Sequence, residues 1–187
     1  MRNSLLFIAL VLLPTLAFAP PKEFQSTLDY QQGVDNAAKI NTALWKVPQL
    51  KQLGSEGINQ QTVKLCNLLK KMDLPGFLSA DANVNGLVTL IESGMSPSRI
   101  NNIYEAYQSM IVKANGMNPD TEVVIDTTKK LGDAIRNGGI EGAETLIQLQ
   151  ALTKEESKEF ITLKDANERY KIVSAEMIKH FVNFDQK

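Results

Sequence analysis

The chain has very little of the residue types on which most covalent and metal chemistry depends. It contains one cysteine and one histidine, so it has no internal disulfide framework and no zinc site built from several histidines. Basic and acidic residues nearly balance, at 20 and 21, and no basic run stands out. The composition therefore excludes a covalently stapled fold and lacks the electrostatic footprint of nucleic-acid binding.

Catalytic motifs are missing as well. No G-x-S-x-G surrounds a serine, and neither a Walker loop nor G-x-G-x-x-G occurs. The single histidine, His180, is expected to be a surface or partly packed residue. Paired carboxylates such as Glu155 and Glu156 fall at predicted helix starts, where the helix dipole favours negative charge. We therefore predict that the protein is not an enzyme.

Only one long apolar run is present, Leu5–Leu13, and it lies near the start of the chain. Arg2 precedes it as the only charge, and small residues follow at Ala17 and Ala19, which is the pattern of a secretory signal peptide. Even when it is extended to Ala19, this segment has fifteen residues and is about 22 Å long as a helix, too short for a hydrocarbon core of about 30 Å. We expect a signal peptide over residues 1–19, cleaved after Ala17 or Ala19, and a secreted or periplasmic protein that is not integral to the membrane after cleavage.

Proline marks the ends of helical patterns and never falls inside one, where it would cost about 3 kcal/mol. No segment alternates with the period of a strand for long. The sequence thus predicts an all-α fold, a single bundle of six to seven helices in residues 20–187. Residues 20–58 are expected to form an N-terminal helix and linker, and 59–187 the core bundle. Similar segments at 85–91 and 141–147 leave open two copies of a three-helix unit.

Helix bounds follow from apolar periodicity and from capping residues. Ser96 before Pro97 predicts one helix start, Asn118 before Pro119 a second, and Thr153 with Glu156 a third through a capping box. The predicted helices cover 22–46, 59–73, a short segment ending at Gly94, 97–115, 119–137, 140–152 and one unbroken helix of near thirty residues from 153.

One segment matches a ligand-binding motif. Residues 81–92 fit D-x-[DN]-x-[DN]-G-x5-E, the calcium loop of the EF-hand. Its ligands would be side-chain oxygens and, at position 7, a main-chain carbonyl; they are Asp81, Asn83, Asn85, Leu87 and Glu92. The same residues also form a good amphipathic helix, so both interpretations stay open. Calcium is the one cofactor that the sequence leaves in consideration.

An apolar stripe on the fourth helix is the second candidate site. Its members recur at helical spacing and are Ile100, Ile103, Tyr104, Tyr107, Met110 and Ile111. Such a stripe forms either part of the core or a groove for an apolar ligand or a partner helix. Cys66 likewise is either a buried small hydrophobe or the source of an intermolecular disulfide.

Three functions are compatible with these observations. The leading hypothesis is an exported, non-catalytic helical binding or interaction protein, such as an envelope or secretion-machinery component or an extracellular factor. The first alternative is a secreted carrier of a fatty acid or another small apolar ligand. The second is a low-affinity calcium-binding protein, since only two ligands of the motif carry formal charge.

Overall fold

The computed structural model describes residues 22–71 and 77–182, with side chains from residue 32 onward. The predicted signal peptide, residues 1–19, lies outside the described residues. The chain divides into two units, Met1–Val34 and Asp35–Lys187. Of the first unit the structure describes residues 22–34, which are continuous helix. All features discussed below belong to the second unit unless stated otherwise.

Every regular element in the described part of the chain is a helix, and no strand occurs there. The all-α prediction is confirmed, although the described residues form nine helices rather than six or seven. They are α1 (Lys22–Lys46), α2 (Pro48–Lys51), α3 (Gly54–Lys71), α4 (Ala80–Glu92), α5 (Pro97–Asn115), α6 (Thr121–Asn137), α7 (Gly139–Gln148), α8 (Glu156–Thr162) and α9 (Ala166–Phe181). None of these described helices is long and apolar enough to cross a membrane.

Local capping signals set several helix bounds as predicted. Ser96 caps α5 by accepting a hydrogen bond from the main-chain N–H of Arg99 at 3.4 Å, and Pro97 is the first helical residue. The predicted capping box is also formed. The Thr153 N–H donates to Glu156 Oε2 at 2.7 Å, and the Glu156 N–H donates to Thr153 Oγ1 at 3.3 Å. These bonds satisfy N–H groups that a helix start leaves without an internal partner.

Several predicted helices differ from the structure. The helix predicted from residue 59 begins at Gly54, and the one predicted to end at 152 ends at Gln148. Two further differences have a clear local cause. The helix expected from Pro119 begins at Thr121 with Asp120 as its N-cap. Asn118 instead has a positive φ of 49° and donates its N–H to the carbonyl of Phe77, so it belongs to the loop. The long final helix is two helices, because Asp165 Oδ1 accepts the N–H groups of Asn167 and Glu168 and starts α9 afresh. An aspartate that caps in this way competes with helix continuation.

The core of the second unit surrounds α5, which contacts α3, α4, α6 and α9. It also takes in Ile40, Ala43 and Leu44 of α1, all at most 1% exposed. Sequence analysis had assigned these residues to an N-terminal helix and linker outside the core bundle. The core therefore begins before residue 59, because α1 turns an apolar side inward in its last turns.

Gly86 allows α4 to lie close against α5 and α6. A Cβ atom at this position would lie 2.3 Å from the hydroxyl oxygen of Tyr107 and 3.1 Å from Cγ1 of Val124. In the calcium motif that residues 81–92 match, a glycine at this position permits a sharp turn. In the structure its role is close helix packing, since a side chain there would overlap the buried tyrosine.

Candidate functional site

The segment that matches the calcium motif is a continuous helix, α4, and not a loop. Ser79 caps it by accepting the N–H of Ala82 at 3.2 Å. Asp81 and Asn85 lie one turn apart, and the Asn85 amide donates to the carbonyl and to the carboxylate of Asp81. The amphipathic-helix interpretation is the one that the structure shows.

The five proposed calcium ligands do not surround a common point. Asn83 is 6% exposed, and its side-chain oxygen accepts hydrogen bonds from Gln108 at 2.7 Å and from Tyr104 at 3.1 Å. Leu87 is fully buried, while Glu92 forms an ion pair with Lys46 at 2.7 Å. Successive residues of a helix rotate by about 100°, so these oxygens point in different directions.

The apolar stripe of α5 is interior and does not line an open groove. Ile100, Ile103, Tyr104, Tyr107, Met110 and Ile111 are all 0% exposed. An apolar stripe looks the same in sequence whether a core or a ligand covers it, which is why the two interpretations could not be separated earlier. Here α3, α4, α6 and α9 cover it.

The hydroxyls of the buried tyrosines take part in internal hydrogen bonds. Tyr107 lies 2.7 Å from Thr128 Oγ1, and Tyr170 donates to the Ser93 carbonyl at 2.6 Å. Burial raises the pKa of Tyr104, Tyr107 and Tyr170 above the usual value, although the hydrogen bonds of Tyr107 and Tyr170 oppose this. These phenols remain neutral at physiological pH.

A cleft of about 500 Å³ lies between α3 and the start of α5. Leu65, Leu68 and Pro97 form its apolar part. Its polar lining consists of Gln61, Lys64, Asn67, Lys71, Ser98 and Asn101. A second cleft, of about 660 Å³, lies on the other side of Lys64 and includes Val63. None of the six stripe residues of α5 lines either cleft.

The outward side of α3 combines an exposed apolar residue with basic charge. Val63 is 59% exposed, and Lys64, Lys70 and Lys71 form no ion pair with any described residue. Cys66 is half-buried, has a free thiol, and packs against the core. Burial raises the pKa of this thiol and Lys70 partly offsets the effect, which favours the unreactive thiol form.

A cluster of charged side chains joins the start of α8 to the end of α9. His180 Nε2 lies 3.1 Å from Glu156 Oε1 and 3.9 Å from Glu176 Oε2. Lys179 Nζ lies 2.9 Å and 2.8 Å from the same two carboxylates. His180 is 20% exposed, so the expectation of a partly packed histidine agrees with its position. Sequence reasoning missed the cluster, although Glu176 and His180 have the i, i+4 spacing that places them on one helix face.

Hydrogen bonding keeps the Glu156 carboxyl ionised. Burial acts to raise its pKa, but hydrogen bonds from the Thr153 N–H and from Lys179 oppose burial, and the pKa is held well below the usual range. Hydrogen bonds to Glu176 and Glu156 raise the pKa of Lys179. The cluster is therefore an arrangement of carboxylates that already binds a cation, the ammonium group of Lys179.

Comparison of the chain with protein-family models, with curated proteins and with solved structures returns no match. Arguments about function consequently depend on the chain's own geometry. Two regions of the described surface offer chemistry that the fold does not use internally: the outward side of α3 and the charged cluster of α8 and α9.

Proposed function

We propose that the chain is an exported, non-catalytic binding protein that docks an acidic segment of a partner protein on α3. The contact would form on the α3 surface, which we define as Gln60, Val63, Lys64, Asn67 and Lys71. These residues are all exposed and recur at i, i+3, i+4, i+7 and i+11, the spacing of one helix face. The single observation that carries the proposal is an exposed Val63 in the second cleft, next to Lys64, which lines both clefts.

Charge on α3 favours an acidic partner. Lys64, Lys70 and Lys71 have no carboxylate partner among the described residues, and Glu56 is the only acidic residue of the helix. Complementary charge steers association and fixes register. Val63 and the apolar part of the first cleft, Leu65 and Leu68, would then accommodate apolar side chains of the docked segment.

The use of polar groups inside the bundle supports a binding role over catalysis. Asn83, Gln108, Tyr104 and Thr128 hydrogen-bond within the core, and no buried side-chain polar atom of the described residues lacks a partner. Groups in such networks specify a fold. Catalytic groups, in contrast, need access to a substrate in a cleft.

The two alternatives have less support from the geometry. A carrier of an apolar ligand would need the α5 stripe to line a pocket, whereas all six stripe residues are packed in the core. A calcium-binding protein would need α4 to adopt a loop, whereas the segment is helical. Both remain hypotheses with direct tests.

Photo-crosslinking tests the α3 surface. A photoreactive amino acid at position 63 should trap the partner, and the purified partner should then bind wild type at least about tenfold more tightly than Val63→Glu. Ile140→Glu is the matched control, since Ile140 is an equally exposed apolar residue, 65% accessible, on α7. Equal weakening by both changes, or no weakening by Val63→Glu, would contradict the proposal.

Native mass spectrometry separates the proposal from its alternatives. Freshly purified protein should carry no lipid and should bind the crosslinked partner. Co-purified fatty acid would support the carrier instead. A complex formed only with further copies of the chain would show self-association in place of a separate partner.

Export is tested independently of binding. The chain expressed in a bacterial host should appear in the periplasm or medium, and its N-terminus should begin after Ala17 or Ala19. Retention of the full-length chain in the cytosol would reject the export part of the proposal while leaving the α3 surface untouched.

A further inference from the structure

We propose that Glu156, Glu176 and His180 bind a divalent transition-metal ion of the zinc type, which would tie α8 to α9. This site lies on elements other than α3, and it does not depend on the proposed partner interaction. The three side chains supply one imidazole nitrogen and two carboxylate oxygens, a ligand set that zinc accepts.

Distances among the donor atoms match a coordination shell. One ligand atom from each residue can be chosen so that all three lie within 4.8 Å of one another. Ligands 2.0–2.1 Å from a tetrahedral zinc ion lie about 3.3 Å apart. His180 Nε2 and Glu156 Oε1 are already 3.1 Å apart, and Glu176 Oε2 is 3.9 Å from the same nitrogen. A small side-chain rotation of Glu176 would bring its carboxylate oxygen to the ligand spacing of a zinc site.

The orientation of His180 is a second, separate observation that favours a metal. Its Nδ1 atom lies 3.3 Å from the main-chain carbonyl of Gln150. A carbonyl only accepts, so this contact requires the proton on Nδ1, and Nε2 faces the two carboxylates, where a bound ion would displace any proton that Nε2 donates to them. Histidines that bind metals commonly donate their other N–H to a carbonyl in this way, which fixes the ring and leaves the free nitrogen for the ion.

Lys179 holds the position that the metal would take. Its ammonium group lies within 2.9 Å of both carboxylates, and its side chain is 62% exposed. It can therefore rotate into solvent when a divalent ion arrives. A doubly charged ion would neutralise the two carboxylates completely, whereas the ammonium group neutralises only one charge.

The donor set favours a zinc-like ion over calcium or magnesium. Calcium takes six to eight oxygen ligands, and magnesium requires near-octahedral oxygen coordination. A site with three protein ligands, one of them an imidazole, suits zinc and its neighbours in the transition series. The fourth position would be open to water.

Calorimetric titration with zinc tests the proposal. Untagged, metal-free full-length chain with Cys66→Ser, which removes the thiol as a competing ligand, should bind one zinc ion. His180→Gln and Glu176→Gln should each weaken binding by at least about tenfold. Glu159→Gln is the matched control, since Glu159 is exposed on α8 outside the cluster, and it should leave the affinity unchanged.

For Lys179→Gln we expect the opposite result, tighter zinc binding. Removal of the competing ammonium group should tighten zinc binding about fivefold, since a positive charge a few ångströms from the ion opposes it. A role of the cluster confined to structural ion pairing would leave zinc affinity unchanged or absent in this variant. Equal or weaker binding by Lys179→Gln would overturn the proposal.

A measurement on the unsubstituted histidine does not depend on how the variants fold. The chain has one histidine, so its imidazole gives one set of ring signals by NMR. Zinc should shift those signals with one-to-one stoichiometry, while calcium and magnesium at the same concentration should not. Unchanged ring signals at millimolar zinc, or binding that His180→Gln preserves, would reject the site.

Discussion

At the scale of single residues, Arg169 has the most consequential environment that sequence reasoning missed. It is 6% exposed and donates to four main-chain carbonyls. Nε bonds Ile135 at 2.6 Å, Nη2 bonds Arg136, and Nη1 bonds Leu163 and Lys164 at 2.9 Å each. The guanidinium therefore satisfies the C-terminal carbonyls of α6 and those at the break between α8 and α9.

Arg169→Met should destabilise the second unit by about 3 kcal/mol or more, because it removes the donor of one buried and three part-buried hydrogen bonds to main-chain carbonyls. Urea unfolding followed by circular dichroism measures the loss. Arg136→Met serves as the control, since Arg136 is exposed and its ion pair among the described residues is with Asp133, and exposed pairs are worth at most about 1 kcal/mol. A loss for Arg169→Met no larger than for Arg136→Met would contradict this role.

Asn83 distinguishes the calcium motif from the helix that the structure shows. Asn83→Asp should destabilise the protein by about 2 kcal/mol or more. It removes the amide that donates to the Leu78 carbonyl at 3.3 Å and places a carboxylate in the core. Asn85→Asp, at a partly exposed position on the same helix, should cost only a few tenths of a kcal/mol.

Both variants should be unfolded by urea with and without calcium. In a calcium loop an added carboxylate would strengthen ion binding, and calcium would stabilise Asn83→Asp. A stable Asn83→Asp variant that calcium stabilises further would favour the calcium-binding alternative over the helix.

At the scale of helices, local signals predicted those bounds that depend on neighbouring residues alone. Ser96 with Pro97 fixes the start of α5, and Thr153 with Glu156 forms the capping box before α8. The break after Thr162 was not predictable from periodicity, because no proline or glycine marks it. It depends on Asp165 as a cap and on Arg169, whose carbonyl partners at Ile135 and Arg136 lie far away in sequence.

The candidate sites illustrate the same limit. The spacing of Glu176 and His180 is visible in the sequence, but Glu156 joins them from another helix. Only the tertiary fold, which brings the start of α8 near the end of α9, places the three side chains together. The calcium motif failed as a guide to local structure for the reverse reason: its residue pattern is also compatible with an amphipathic helix, and burial of Asn83 and Leu87 favours that helix.

The close approach of α4 to its neighbours gives a prediction at this scale. Gly86→Ala should destabilise by about 1–3 kcal/mol, because the added methyl group would overlap the Tyr107 hydroxyl. Alanine normally stabilises a helix relative to glycine. Gly33→Ala, on the part of α1 that belongs to the first unit, has no atom within 4 Å of the new Cβ and should therefore be neutral or stabilising in the same thermal unfolding assay.

A double-mutant cycle identifies the overlapping atom. Tyr107→Phe removes the hydroxyl, so Gly86→Ala should cost less in that background than in wild type. Additive losses would show that the overlap with Tyr107 is not the cause.

At the scale of the whole second unit, the central position of α5 explains why its apolar stripe is part of the core and not a groove for a ligand. The helix has neighbours on several sides, α3, α4, α6 and α9, so its apolar residues serve the core. Features available for recognition must then lie on the outer helices. The α3 surface and the α8–α9 cluster meet that condition. The lysines of α3 have no carboxylate partner among the described residues. The carboxylates of the cluster pair with Lys179, whose side chain is exposed and can move away.

Alkaline pH tests whether the buried tyrosines belong to one cooperative core. Folding raises the pKa of Tyr104, Tyr107 and Tyr170 above 10.0, so above that pH the unfolded chain loses these protons more readily than the folded chain. The free energy of unfolding is therefore independent of these phenols below about pH 10. Above that pH it falls, by up to about 1.4 kcal/mol per pH unit for each tyrosine.

Urea unfolding between about pH 9 and pH 12 should show this decline. Tyr30, whose side chain lies outside the described residues, is replaced by phenylalanine so that absorbance at tyrosinate wavelengths reports only the three core phenols. Their ionisation should coincide with loss of helix, since each must be exposed before it can release its proton. Tyr107→Phe should make the free energy of unfolding fall less steeply with pH, by the contribution of one tyrosine. Ionisation of all three below pH 10 in a chain that remains helical would show that the phenols are accessible to solvent and that α5 is not the centre of a closed core.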